Sequence, residues 1–286
     1  MKNSILIIAL LLSLMISCEE DTKEYYSNPI VKIDQNLEYS YNDFELYDSS
    51  THMLYFKCNQ PELVNPNLSG FIVYADTIKI YQGSYWSVFL SSLPSVPFIW
   101  KNPFFYPDYV MRFEFIGSGT DPRNDYRLIT AFKNQNLLHS GLIGEIKEIV
   151  INGSQLVFSF TVTNKDQSDL LILDPEKMGQ NLFHYFTNAP VFYNISQKKV
   201  FEYGFDYEAP SPHNAWSPSW LTELKSGDSR NFTFNYTINS QFSTGDYKIS
   251  FEFPGLSSQI QRDQLYQDNK RIWLGDITMK KYLRIQ

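Results

Sequence analysis

Leu156-Val157-Phe158-Ser159-Phe160-Thr161-Val162-Thr163-Asn164 is the stretch that decides the fold class. Leu156, Phe158, Phe160 and Val162 share one parity, and Val157, Ser159, Thr161 and Thr163 share the other. A period of two places the large apolar set on one face of a pleated strand and leaves the other face near water. β-branched and aromatic side chains fill such a surface well. Asn152-Gly153 lies just upstream, after the strand-like segment 146–151. Asn-Gly between two apolar runs is a tight-hairpin signal, because both residues accept positive φ.

The same alternation recurs along the chain. Phe232, Phe234, Tyr236 and Ile238 alternate with Thr233, Asn235 and Thr237. Tyr247, Ile249, Phe251 and Phe253 alternate with Lys248, Ser250 and Glu252. Met111, Phe113 and Phe115 alternate with Arg112 and Glu114. Ser226-Gly227-Asp228, Thr244-Gly245-Asp246 and Gly275-Asp276 supply turn chemistry between the runs. The reading is all-β. Residues 257–269 form the best short helix candidate, and residues 127–132 read as strand rather than helix.

His139-Ser140-Gly141 and Gly144 interrupt the pattern, which places a boundary there. Residues 30–140 and 141–286 are then two β-sandwiches of ordinary domain size. Phe113-Glu114-Phe115-Ile116-Gly117 and Phe251-Glu252-Phe253-Pro254-Gly255 echo each other late in each half. Chance similarity between aromatic-rich strands and an old repeat both account for that echo.

Composition limits the function. The chain carries a net charge of −7 and has no long basic run. Nucleic-acid binding through phosphate neutralisation is not expected. His52, His139, His184 and His213 never fall three or four residues apart, so no helical metal pair is written in the sequence. Nucleophile-elbow, phosphate-loop and dinucleotide patterns are absent. Asn164, Asp166 and Asp169 share one inter-strand loop but lack the glycine and terminal carboxylate of a calcium loop. They read as a polar turn. No catalytic residue, metal or cofactor is expected, and the chain reads as a non-enzyme.

Two aromatic segments are the candidate ligand-binding residues. Residues 100–109 hold Trp100 and Tyr106, and their prolines exclude a central strand. Residues 216–220 hold Trp216 and Trp220. Such side chains on loops stack on sugar rings or anchor a protein partner, and they also cover cores. Both readings stand at this level.

The N-terminus carries a resemblance. Lys2 precedes an apolar run, 5–16, which is shorter than the ~20 residues of a spanning helix. Met15-Ile16-Ser17-Cys18 resembles the lipobox of bacterial lipoproteins. That resemblance implies a signal peptide over 1–17, cleavage before Cys18 and acyl chains on Cys18, with an acidic tether over 18–29. Several acyl chains hold a protein stably in a bilayer where one does not. Glu19-Glu20-Asp21 resembles the export signal of surface lipoproteins of the Bacteroidota, which implies lipid anchorage in the outer membrane with display at the cell surface. A periplasm-facing orientation is the alternative. Asp76-Thr77-Ile78 resembles a short O-glycosylation motif of the same bacteria and singles out Thr77. With Cys18 lipidated, Cys58 is expected to be a lone, buried small hydrophobe on the face of Leu54 and Phe56.

Residues 145–255 resemble bacterial immunoglobulin-like modules, some of them described as proteinase-inhibitor-like. The resemblance rests on Thr161-Val162-Thr163-Asn164, Leu224-Lys225-Ser226-Gly227-Asp228 and Gly245-Asp246-Tyr247. These are turn and core residues, so the resemblance implies a fold and no activity. The expectation is a membrane-anchored module that binds a protein or glycan or serves the envelope structurally. A carbohydrate-binding lipoprotein and an inhibitor-like module are the alternatives.

Overall fold

The computed structural model describes residues 30–286 apart from Gln35, Ser240 and Ser258. The signal, tether and Cys18 readings lie outside the described residues.

The first half supplies β1 (Val31–Ile33), β2 (Leu37–Tyr39), β3 (Phe44–Asp48), β4 (Met53–Phe56), β5 (Gly70–Ala75), β6 (Ile78–Ser87), β7 (Phe98–Lys101), β8 (Val110–Arg112) and β9 (Leu138–His139). The second supplies β10 (Leu142–Asn152), β11 (Gln155–Asn164), β12 (Leu170–Leu173), β13 (Val191–Asn194), β14 (Lys199–Phe201), β15 (Leu221–Leu224), β16 (Ser229–Thr237), β17 (Gly245–Phe253), β18 (Tyr266–Gln267), β19 (Lys270–Ile272) and β20 (Ile277–Ile285). The fold is all-β.

In the first half, sheet β2-β1-β5-β6-β7 packs on sheet β8-β4-β3-β9. Tyr39 meets Phe56 edge-on at 4.9 Å across that interface, and Phe71 meets Phe113 at 5.2 Å. In the second half, β10-β11-β16 faces β14-β13-β17-β20. The quoted strand lies at its centre: Phe158 and Phe160 lie 5.2 Å and 4.9 Å from Phe251 on the opposing sheet. The β10–β11 hairpin closes at Gly153-Ser154, one residue after the Asn152-Gly153 pair read from the sequence: Asn152 pairs with Gln155, and only Gly153 of the expected pair takes positive φ, +57°. A third sheet, β15-β12-β19-β18, extends the same core. Parallel pairings at β3–β9, β6–β7 and β12–β19 interrupt the otherwise antiparallel ladders.

Three local readings are corrected. Residues 127–132 are helical, within the helix Tyr126–Asn134. Asp125 caps it by accepting from the Arg127 N–H, and Leu128, Ala131 and Phe132 bury one face at helical spacing. Residues 257–269 do not form the expected helix. Among the described residues they hold only the 3-10 turn Arg262–Gln264 and strand β18, which ends in a turn with Asp268 and Asn269 both at positive φ. Asp and Asn tolerate that conformation, so a tight hairpin forms. Cys58 lies beyond the end of β4, half-buried, and is not a free thiol. The strand that carries Leu54 and Phe56 stops two residues short of it, because β4 ends at Phe56.

The two halves share interior. Leu46, Met53, Tyr55, Tyr109 and Val110 pack into the core of the second half. Arg271 on β19 is buried and reaches Asp48 on β3 and Asp166 after β11, both at 3.2 Å. Asp166 also accepts from His139 Nδ1 at 2.9 Å. Gly141 turns the chain beside this network at φ +62°.

Candidate ligand-binding cleft

Arg112 ends β8 and points across the seam between the halves. Its Nη2 donates to Asp276 Oδ1 at 2.8 Å, and its Nη1 donates to Asp276 Oδ2 and to the Tyr106 hydroxyl. Its Nε lies 3.0 Å from Glu114 Oε1. This cluster is the middle of a trough with two arms.

One arm is a cleft of about 400 Å³ lined by Trp100, Phe105, Tyr106 and Phe186, with Glu114, Glu252 and Asp276 as its acidic groups. Backbone pairing of Phe98 with Glu114 holds β7 against the segment after β8, which brings Trp100 to the Arg112 cluster. Trp100 meets Phe98 edge-on at 4.8 Å and Phe105 at 6.4 Å. Phe105 is 43% exposed, so its ring is open to a ligand. The other arm, about 670 Å³, carries Ser49, Ser50, Thr51, Ser140, Arg123 and Lys280 alongside Arg112, Glu114 and Asp276. His52 lines it too, at φ +54°, with Nδ1 2.8 Å from the Tyr47 hydroxyl.

Electrostatics follow from burial. Desolvation raises the Glu114 carboxyl above its ordinary range, more than the Arg112 charge lowers it. Desolvation also raises Glu252, with the neighbouring Asp276 carboxylate adding to it. Burial, helped by the charge of Arg123, drives His52 down to about 3, so its ring is neutral at ordinary pH.

The structure divides the aromatic residues singled out in the sequence. Trp100 and Tyr106 share the cleft. Trp216 and Trp220 do not line it; they pack, half-buried, against the core of the second half. Trp220 lies 6.0 Å from Phe186, which itself lines the cleft. Thr77 is exposed at the tip of the β5–β6 hairpin. Asn164 and Asp166 form a polar turn: the Asn164 amide donates to Ser168 O and Leu224 O, and its Oδ1 accepts from the Asp166 N–H. Among the described residues no group of His, Cys, Asp and Glu is arranged to hold a metal ion.

Arg112, Glu114, Glu252 and Asp276 were not singled out from the sequence as site residues. A signal for two of them was present. The echoed Phe113-Glu114-Phe115 and Phe251-Glu252-Phe253 both present their glutamates to this one cleft.

No family model and no curated protein matches the chain. Among solved structures, two crystal structures of a β-glucosidase from Kluyveromyces marxianus, one in complex with glucose, match at a TM-score of 0.24 and 11% identity. The match covers 51% of this chain and 14% of that enzyme's chain.

Proposed function

We propose that this chain is a non-enzymatic lipoprotein, anchored in the outer membrane through Cys18 and displayed at the cell surface, that binds glycan in the cleft beside Arg112. One observation carries the binding reading. Trp100, Phe105 and Tyr106 line the same cleft as Glu114, Glu252 and Asp276. Aromatic faces stack on the apolar faces of sugar rings, and carboxylates accept from ring hydroxyls. A concave site of this size with a few polar groups suits a small or extended ligand. The immunoglobulin-like resemblance and the surface-export motif support the setting. Among the described residues no helix is long and apolar enough to cross a membrane.

A glycan array probed with the mature chain tests the reading. Binding is expected, and joint substitution Trp100→Ala with Phe105→Ala is expected to weaken it at least tenfold. A blank array, or binding unchanged in the double variant, overturns it.

A further inference from the structure

The charges along the trough are unequal, and the inequality points to a class of ligand. At the aromatic arm three carboxylates face one cation. That cation, Arg112, is already committed: both its terminal nitrogens bond Asp276, and Tyr106 takes a further N–H. Glu252 has no hydrogen-bond or ion-pair partner for its carboxylate among the described residues. The other arm adds Arg123 and Lys280 to the shared Arg112, Glu114 and Asp276; Arg123 is bonded to Asp121, which leaves Lys280 as the added cation without an ion-pair partner among the described residues.

We propose that the cleft selects a glycan bearing a protonated amine, an amino sugar, with the amine seated at the aromatic arm against Glu252. This rests on the glycan-binding reading above and narrows it. A neutral sugar entering the arm would strip water from Glu252 and leave its charge uncompensated, which is costly. An ammonium group supplies the missing countercharge and donates up to three hydrogen bonds. The faces of Trp100 and Phe105 add cation–π attraction that neutral hydroxyls do not receive. The opposite arm, richer in cations, repels the same group, so the ligand is held in one direction. The raised Glu252 carboxyl agrees: burial raises it, the Asp276 carboxylate adds to the rise, and Arg112 offsets it only in part.

Titration calorimetry of the mature chain with β-1,4-linked glucosamine tetramers and with their N-acetylated counterparts tests the proposal. The buffer must be acidic enough to protonate the free amine. The amine form is expected to bind at least tenfold tighter, a preference that shrinks with added salt. Glu252→Gln, a substitution of nearly equal size at an exposed position, is expected to abolish the preference. Tyr282→Ala, far along β20, is expected to preserve it. Equal binding of both tetramers, or a preference that survives Glu252→Gln, overturns the amino-sugar proposal and leaves the glycan reading standing. If neither tetramer binds, the amino-sugar proposal falls, and the glycan array decides whether the broader reading falls with it.

Discussion

Arg271 Nη2 lies 3.2 Å from Asp48 Oδ2, joining the last part of the chain to its third strand inside the protein. Both side chains are excluded from water, and Asp166 and the Tyr55 hydroxyl complete the arrangement. Two sandwiches that read as separate in sequence therefore share a buried ionic centre.

Arg271→Met leaves Asp48 and Asp166 buried without their cation. Breaking a buried pair on one side costs about 3–5 kcal/mol. Urea unfolding at neutral pH is the measurement, and the expected result is a loss in that range with both halves unfolding together. Two separate transitions in the native chain would show that the centre does not couple the halves.

Phe160→Ala should be among the most damaging core substitutions. Phe160 packs on Phe158, Phe232, Phe234, Phe251 and Phe253. Truncating a buried phenylalanine costs about 3–5 kcal/mol through lost transfer energy and the cavity left behind. Tyr282→Ala is the contrast: its ring is 70% exposed, and a change within about 0.5 kcal/mol is expected by the same denaturation measurement.

Gly141→Ala tests the turn beside the ionic centre. An added Cβ would stand 2.1 Å from Ser50 Oγ and 2.3 Å from Asp48 Oδ1, at a φ of +62°. The backbone penalty alone is about 1–2 kcal/mol, and the clash adds to it. Gly153→Ala carries only the backbone penalty, since nothing lies within 4 Å. Thermal unfolding should rank Gly141→Ala well below Gly153→Ala.

Stability should rise with pH between about 4 and 6.5, in part through His184. Its ring is buried against the Tyr236 hydroxyl, 3.0 Å from Nε2, and burial lowers its pKa from 6.5 to about 4. In that window the unfolded chain holds a proton that the folded chain does not, so acid favours unfolding. Chemical denaturation across the window should show this slope, and His184→Gln should reduce it, with His52, lowered to about 3, contributing what remains. An unchanged slope would place the acid sensitivity elsewhere.

Cys18 has two mutually exclusive fates, because a thioether sulfur cannot also form a disulfide, and lipidation requires that Cys58, not a free thiol in this structure, become one. Peptide mass spectrometry of the membrane fraction is expected to find acyl chains on Cys18 and no residues before it. Protease shaving of intact cells is expected to release the protein. A Cys18–Cys58 disulfide in the non-reduced digest would remove the anchor, and resistance to shaving would favour the periplasm-facing orientation.

Much of the fold was legible because strand periodicity is a local property of the backbone. Phe158 and Phe160 announce their buried face whatever packs on it, and Asn152-Gly153 announces a turn that forms one residue on, at Gly153-Ser154. The misread segment 127–132 shows the limit. A short apolar run suits strand or helix, and the Asp125 cap with the spacing of Leu128, Ala131 and Phe132 decides for helix. Residues 257–269 failed in the other direction, since few of their side chains offer a face to bury.

The sequence by itself determined the β class, the inward faces of the strands, the hairpin turns and the acidic balance. These follow from side-chain alternation, turn chemistry and residue counts, all of which operate over a few residues. Only the tertiary structure decided the cleft. Arg112 and Asp276 are 164 residues apart in the chain and meet because two sandwiches pack across one seam. It also separated Trp100 and Tyr106, which line that seam, from Trp216 and Trp220, which do not, although Tyr106 packs on the same core as those two. Identical aromatic chemistry gives no local sign of which side of a packed surface it will occupy.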